Sequence, residues 1–214
     1  MIKVSPSVLA CDLSNLSDEV KKIADAGADM VHLDVMDGAF VTNISFGLPV
    51  IASLRKKTDM FFDVHLMIDR PERYISRFID AGADLITFHY EATSDPIAVL
   101  ESIKKQGKMA GVSVKPGTPI EVVYPLLDKC DLVLVMTVEP GYGGQAFIPE
   151  TLDKIRTLKR EIETRGLQVD IQVDGGINAE TAAAVKSAGA NNLVAGSYIF
   201  GSKDVKSTIE LLKM

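Results

Sequence analysis

The sequence has only two cysteines in 214 residues, Cys11 and Cys130, far apart and in no Cys-x-x-Cys spacing. Their scarcity excludes a disulfide framework and a zinc knuckle, and it suits a chain kept in the reducing cytoplasm. Long apolar runs are absent too: LVLVMTV at 132–138 is far too short to span a bilayer. The opening MIKVSPSVLA goes straight into a strand-like pattern without a signal-peptide h-region, so an unprocessed chain with no membrane partner is expected. Surplus positive charge is also missing. Against 23 Lys and Arg stand 29 Asp and Glu, a net charge of −6 that argues against a nucleic-acid partner bound through a bulk positive field. A small phosphorylated substrate stays open, because glycine amides and helix N-termini hold one phosphate without surplus Lys or Arg.

What is present is an ordinary globular composition, 47% hydrophobic and 24% charged, with 16 glycines and 9 prolines. Disorder, collagen and coiled coil are excluded. A chain this long buries roughly 70% of its unfolded surface, so its core needs no structural metal, and any metal would serve chemistry.

Ala-Gly-Ala-Asp occurs at 26–29 and 81–84, and Ala-Gly-Ala-Asn at 188–191, each closing an amphipathic stretch and preceding a β-rich one. The starts lie 55 and 107 residues apart, which is two and four units of ~27 residues, and eight such units fill the chain. The glycine suits the left-handed position after a helix. Periodicity gives β-rich runs near 3–9, 30–36, 61–67, 85–89, 110–114, 132–138, 169–174 and 192–195. Helical patterns separate them, among them Leu16 to Ala26 and Leu152 to Arg165. Eight strands alternating with about eight helices demand parallel pairing and right-handed crossovers. The expected fold is α/β: a single-domain (βα)8 TIM barrel over residues 1–214, with its chemistry at the C-terminal strand ends.

Strand alternation puts His32, Asp34 and Met36 on one face of the second strand, and Asp63, His65 and Met67 on one face of the third. The seventh strand ends at Asp174, in phase with Gln172 and Asp170. Two imidazoles and two carboxylates entering one cavity make a site for a divalent metal ion, Zn, Fe, Mn or Co. Inward His and Asp also occur as satisfied buried networks, but several carboxylates clustered with two of three histidines are hard to justify by packing alone. His89, ending the fourth strand, is expected to make a structural hydrogen bond there, with a substrate-side role or a supporting role behind the site as the alternative. Asp37, beside Gly38, reads as a loop anchor. Glycine-rich segments follow the last three strands: Gly141-Tyr142-Gly143-Gly144, Gly175-Gly176 and Gly196-Ser197. Their open amides suit an anion, although glycines also close tight βα turns. Met36, Met67 and Met136 fall on inward faces near strand ends, either as core filling or as a cavity lining.

Taken together, SPSVLACDLSNL at 5–16, HLDVMDGAFVTNISFG at 32–47, DVHLM at 63–67, VKPGTP at 114–119, VMTVEPGYGGQAFIPE at 135–150, VDGGIN at 173–178 and VAGSYIFG at 194–201 resemble the ribulose-phosphate 3-epimerase family nearly end to end. The resemblance implies an isomerase that interconverts D-ribulose 5-phosphate and D-xylulose 5-phosphate by moving a proton at C3, with a metal-stabilised enediolate between them. It implies His32, Asp34, His65 and Asp174 as metal ligands, Asp34 as proton acceptor and Asp174 as donor. Ser7 and His65 would touch substrate, and Gly141 to Gly144, Gly175, Gly176, Gly196 and Ser197 would lie on the phosphate side. It also implies a homo-oligomer. Ala39 and Thr42 stand where many members have His and Pro, and Ala146 where Lys is frequent. These departures touch the rim and bear on substrate length, so a D-allulose-6-phosphate 3-epimerase is the alternative. A metal-free decarboxylase or synthase barrel gives no reason for His32 and His65. A phosphosugar-binding barrel without turnover gives none for intact Asp34 and Asp174.

Overall fold

A computed structural model describes residues 1–214. Eight parallel strands run in the order β1-β8-β7-β6-β5-β4-β3-β2. They are β1 Lys3–Pro6, β2 Met30–Met36, β3 Phe61–Met67, β4 Leu85–His89, β5 Met109–Val114, β6 Leu132–Met136, β7 Asp170–Asp174 and β8 Asn192–Ala195. The sheet is a nearly closed barrel, its seam between β1 and β2 bridged in parallel at Ser7 and His32. The α/β expectation of one (βα)8 domain holds. Helices α1 Leu16–Asp25, α2 Leu48–Arg55, α3 Ile75–Ala81 and α4 Pro96–Lys105 follow the first four strands. After β6 comes α5 Thr151–Thr164, after β7 α6 Ala179–Ala188, and after β8 the short α7 Ser197–Phe200 and then α8 Val205–Lys213.

Three details differ from expectation. Strand β1 stops at Pro6, because Ser7 leaves the strand to cap a 3-10 turn over Val8–Ala10. Strand β6 ends at Met136 rather than at 138. The connection from β5 to β6 is a 3-10 helix, Ile120–Leu126, with Pro119 at its N-cap and Pro125 inside it. Proline lacks the N–H that an α-helical turn needs, so the tighter, shorter helix takes its place.

The main core lies between barrel and helices and includes Ile23, Ile51, Phe62, Phe88, Leu100 and Leu158. The barrel interior is divided. Strands β4 and β6 send in Leu85, Leu132, Leu134 and Met136, whereas β1, β2, β3 and β7 send in Ser5, His32, Asp34, Asp63, His65 and Gln172, all buried.

The recurring Ala-Gly-Ala-Asp/Asn junctions each bring two devices. Gly27, Gly82 and Gly189 have φ of 84°, 114° and 117°, the left-handed turn expected after α1, α3 and α6. The carboxylate or amide that follows accepts the N–H of the strand before the helix. Asp29 accepts from Val4, Asp84 from Phe62 and Asn191 from Ile171, at 2.8, 2.9 and 2.8 Å. A fourth staple joins Asp131 to Ala110 at 2.8 Å, without the motif before it. All four tie odd-numbered strands, which explains the two- and four-unit spacing.

Candidate active site

Two adjacent strands in register bring the polar residues together: His32 pairs with Asp63 and Asp34 with His65 across β2 and β3. Asp174 arrives at the end of β7, three strands away from β2 around the ring. His65 Nδ1 is 3.0 Å from Asp34 Oδ1, and His32 Nε2 is 3.2 Å from the same oxygen. Asp174 Oδ2 lies 3.9 Å from His65 Nδ1 and 4.0 Å from His32 Nε2. One ligand atom from each of the four lies within 4.8 Å of all the others.

The donor set passes a test for a divalent ion. Ligands held at ~2.0–2.2 Å from a common ion stand roughly 3 to 4 Å from one another, and the four imidazole–carboxylate separations here run from 3.0 to 4.0 Å. His32 Nε2 is also buried without a hydrogen bond, a cost that an ion would remove. The opposite nitrogen of that ring, Nδ1, meets Asp63 Oδ2 at 2.8 Å, and the same oxygen accepts from Gln172 and Ser5 at 2.6 and 3.1 Å. With an ion bound, Asp63 would hold the His32 proton on Nδ1 and leave Nε2 free to ligate.

The two carboxylates have unlike surroundings. Burial alone would raise Asp34, but the His32 and His65 imidazoles outweigh it and hold Asp34 well below the usual carboxylate range. Burial and the neighbouring Asp34 charge push Asp174 up. Ser7 Oγ donates to Asp34 Oδ2 at 2.6 Å and is thereby committed to the carboxylate.

Above this cluster opens a cavity of about 890 Å³. Ser7, Asp34, Asp174, Met36, Met67 and Met136 line it, as do Gly141, Tyr142, Gly143, Gly144, Gly175, Gly176, Gly196 and Ser197. Every sequence-expected residue except His32 and His65 reaches that surface. Those two are fully buried beneath it. Each His65 nitrogen has a close partner: Nδ1 faces Asp34 Oδ1 at 3.0 Å and Nε2 faces His89 Nε2 at 2.9 Å. Tyr142 stands 64% exposed at the rim.

The glycines divide by cause. Gly176, at φ 66°, would put a Cβ 2.6 Å from the Phe147 backbone, so packing alone demands glycine there. Gly143 has open space about it and no positive φ, so packing does not demand it. The N–H groups of Gly175, Gly176, Gly196 and Ser197 donate to no backbone acceptor. Asp37 anchors the loop after β2, accepting from Ala39, Phe40 and Asp69 at 2.9, 2.9 and 2.8 Å. Asn43 ties that loop to the one after β6 through Gly141 O at 2.9 Å. The sequence reading missed the roles of Asp63 and of Glu91, which sits behind His89.

Fold and site together define a (βα)8 barrel enzyme with a two-histidine, two-aspartate centre able to hold a metal ion. The model of the ribulose-phosphate 3 epimerase family matches residues 3–200, and the chain belongs to that family of isomerases. It is 47% identical to the ribulose-phosphate 3-epimerase of Bacillus subtilis over all of this chain and 99% of the relative. It is 45% identical to the cytoplasmic isoform from Oryza sativa subsp. japonica, over 99% of this chain and 92% of the relative. Among solved structures, a 3-hexulose-6-phosphate synthase superposes with a TM-score of 0.71 at 21% identity, covering 99% of this chain and 98% of that one. At that identity the likeness speaks for the fold alone. No helix is long and apolar enough to cross a membrane.

Proposed function

We propose that this isomerase interconverts D-ribulose 5-phosphate and D-xylulose 5-phosphate by transferring the proton at C3 between Asp34 and Asp174. One observation carries the reading: carboxylates from β2 and β7 meet two imidazoles at the floor of a cavity rimmed by unpaired glycine N–H groups. Inverting a carbon beside a carbonyl needs a base on one face and an acid on the other. Asp34, kept ionised by the two imidazoles and oriented by the Ser7 hydroxyl, takes the proton, and Asp174 delivers one from the other side. His32, Asp34, His65 and Asp174 would hold a divalent ion, which when bound would supply Lewis-acid polarisation of the carbonyl. Gly175, Gly176, Gly196 and Ser197 offer N–H groups to the phosphate after strands β7 and β8. Met36, Met67 and Met136 exclude water around the reacting carbons. The substrate is then a small phosphorylated ketose. The scarcity of cysteine and the plant relative's name support a cytoplasmic enzyme.

Proton NMR in D₂O tests this, with ion-loaded enzyme given ribulose 5-phosphate or allulose 6-phosphate. Deuterium entering C3 with faster epimer formation from the pentulose is the expected result. Faster turnover of the hexulose would move the substrate assignment to allulose 6-phosphate, and no exchange with either would leave a binding protein or another barrel chemistry.

A further inference from the structure

His65 turns Nδ1 toward the four-residue centre and Nε2 away from it. That Nε2 lies 2.9 Å from Nε2 of His89, the rings stacked with centroids 5.0 Å apart. His89 is fully buried. Its Nδ1 makes no hydrogen bond of good geometry but faces Glu91 Oε2 at 3.4 Å. The other oxygen of Glu91, Oε1, is already held: it accepts the Lys115 N–H at 2.9 Å and the Thr118 hydroxyl.

A contact between two neutral imidazole nitrogens requires one N–H and one lone pair. If His65 Nδ1 is a ligand it carries no proton, so the proton sits on Nε2 and His89 Nε2 must accept it. The His89 proton then lies on Nδ1, opposite a carboxylate oxygen that can only accept. Each step forces the next, and Glu91 sets the direction at the far end. His32 gets the same service from Asp63 directly, whereas His65 gets it two residues removed.

We propose that Glu91 is a positioning residue for His65, acting through His89 to fix both imidazole tautomers so that His65 presents a bare Nδ1 to the centre. This rests on the assignment of His65 as a ligand. Glu91 also joins the β4 and β5 loops through Lys115 and Thr118, a purely structural task, and the substitution Glu91→Gln separates the two. The Lys115 N–H and Thr118 hydroxyl would keep the amide oxygen at the Oε1 position, because both are donors. The amide NH₂ would then face His89 Nδ1 and donate to it. Both tautomers would reverse, with the loop bonds retained.

The test measures Zn²⁺ affinity by chelator competition, and reads His65 and His89 tautomers from ¹⁵N–¹H correlation spectra of the full chain before and after Zn²⁺ is added. In the natural protein the His65 signals should shift on Zn²⁺ binding, and with Zn²⁺ bound the His65 proton is expected on Nε2. Glu91→Gln is expected to move that proton to Nδ1 and weaken Zn²⁺ binding 10- to 100-fold, the usual range for a lost outer partner of a ligating histidine. The thermal midpoint without Zn²⁺ should stay put. Adding His89→Gln to Glu91→Gln should restore much of the affinity, since the introduced amide can turn its oxygen to His65 Nε2–H without help from residue 91. Unchanged affinity and tautomer in Glu91→Gln would overturn the proposal, as would a loss of affinity that merely tracks a fallen thermal midpoint. His65 signals that ignore Zn²⁺ in the natural protein would overturn the ligand assignment itself, a distinguishable failure.

Discussion

His32 Nδ1 and Asp63 Oδ2 stand 2.8 Å apart inside the barrel, both fully sealed from solvent. Three donors converge on that one carboxylate oxygen, from Ser5, His32 and Gln172. Asp63→Ala would orphan all three. The expected result is at least a 10-fold loss of divalent-ion affinity and a destabilisation of about 3 kcal/mol. Asp63→Asn keeps an oxygen available to His32 and should lose less of both. Chelator competition and urea unfolding measure the two quantities.

Stripping the ion with a chelator should abolish epimerisation while leaving the far-ultraviolet circular dichroism and the cooperative unfolding transition in place. The apolar core between barrel and helices lies apart from the centre, so folding does not depend on an ion. Full turnover in a verified ion-free sample would exclude the ligand assignment.

Asp174→Asn should lower kcat by about 10²- to 10⁴-fold, the range that a positioned acid or base contributes. Its side chain is 18% exposed and its only close partners are the site residues, so the thermal midpoint should barely move. Unchanged kcat would refute transfer between two carboxylates.

Asp84→Ala removes the acceptor for the Phe62 N–H and the partner of Arg55 and Lys108. The Phe62 N–H lies among buried residues, so the expected cost is about 2–3 kcal/mol. Asp84 does not line the cavity, so KM should not change. Urea denaturation and steady-state kinetics check the pair of statements.

The thiols should be inert. Burial raises Cys130 to about 12, and burial followed by the Glu19 charge raises Cys11 to about 11. At pH 8 the reactive thiolate is then about one part in 10⁴ and 10³ respectively. A disulfide reagent at that pH should label the folded chain far more slowly than the urea-unfolded one, and the rate should climb with pH.

The alternation of strands and helices was legible because each element carries its own period and the Ala-Gly-Ala-Asp junctions mark helix ends. The side-chain staples were not legible there, and the fourth lacks even the motif: Asp131 follows Lys129 and Cys130 rather than Gly-Ala, and only its bond to Ala110 reveals it. His32, Asp34, His65 and Asp174 were legible as inward residues near strand ends, because strand period fixes the face. Period does not fix depth. Asp63 shares a face with His65 yet pairs with His32 one layer lower, so its task needed the register. Glu91 lies outside any strand, and its link to the centre passes through a contact between His65 and His89, 24 residues apart in sequence. The 3-10 helix at Ile120–Leu126 was signalled by Pro119 and Pro125, but an apolar period looks alike in a short α- or 3-10 helix.

The four staples join residues only 25, 22, 21 and 20 positions apart. Each quarter of the ring can therefore close on itself early, at the small entropic expense of a short loop. The β1–β2 seam is different, because it carries one β-bridge, Ser7 to His32, in place of a ladder, and it shuts only when the two ends of the sheet find each other. The same residue, Ser7, then donates to Asp34. Completion of the ring and orientation of the base are one event, so a half-assembled chain carries no competent centre.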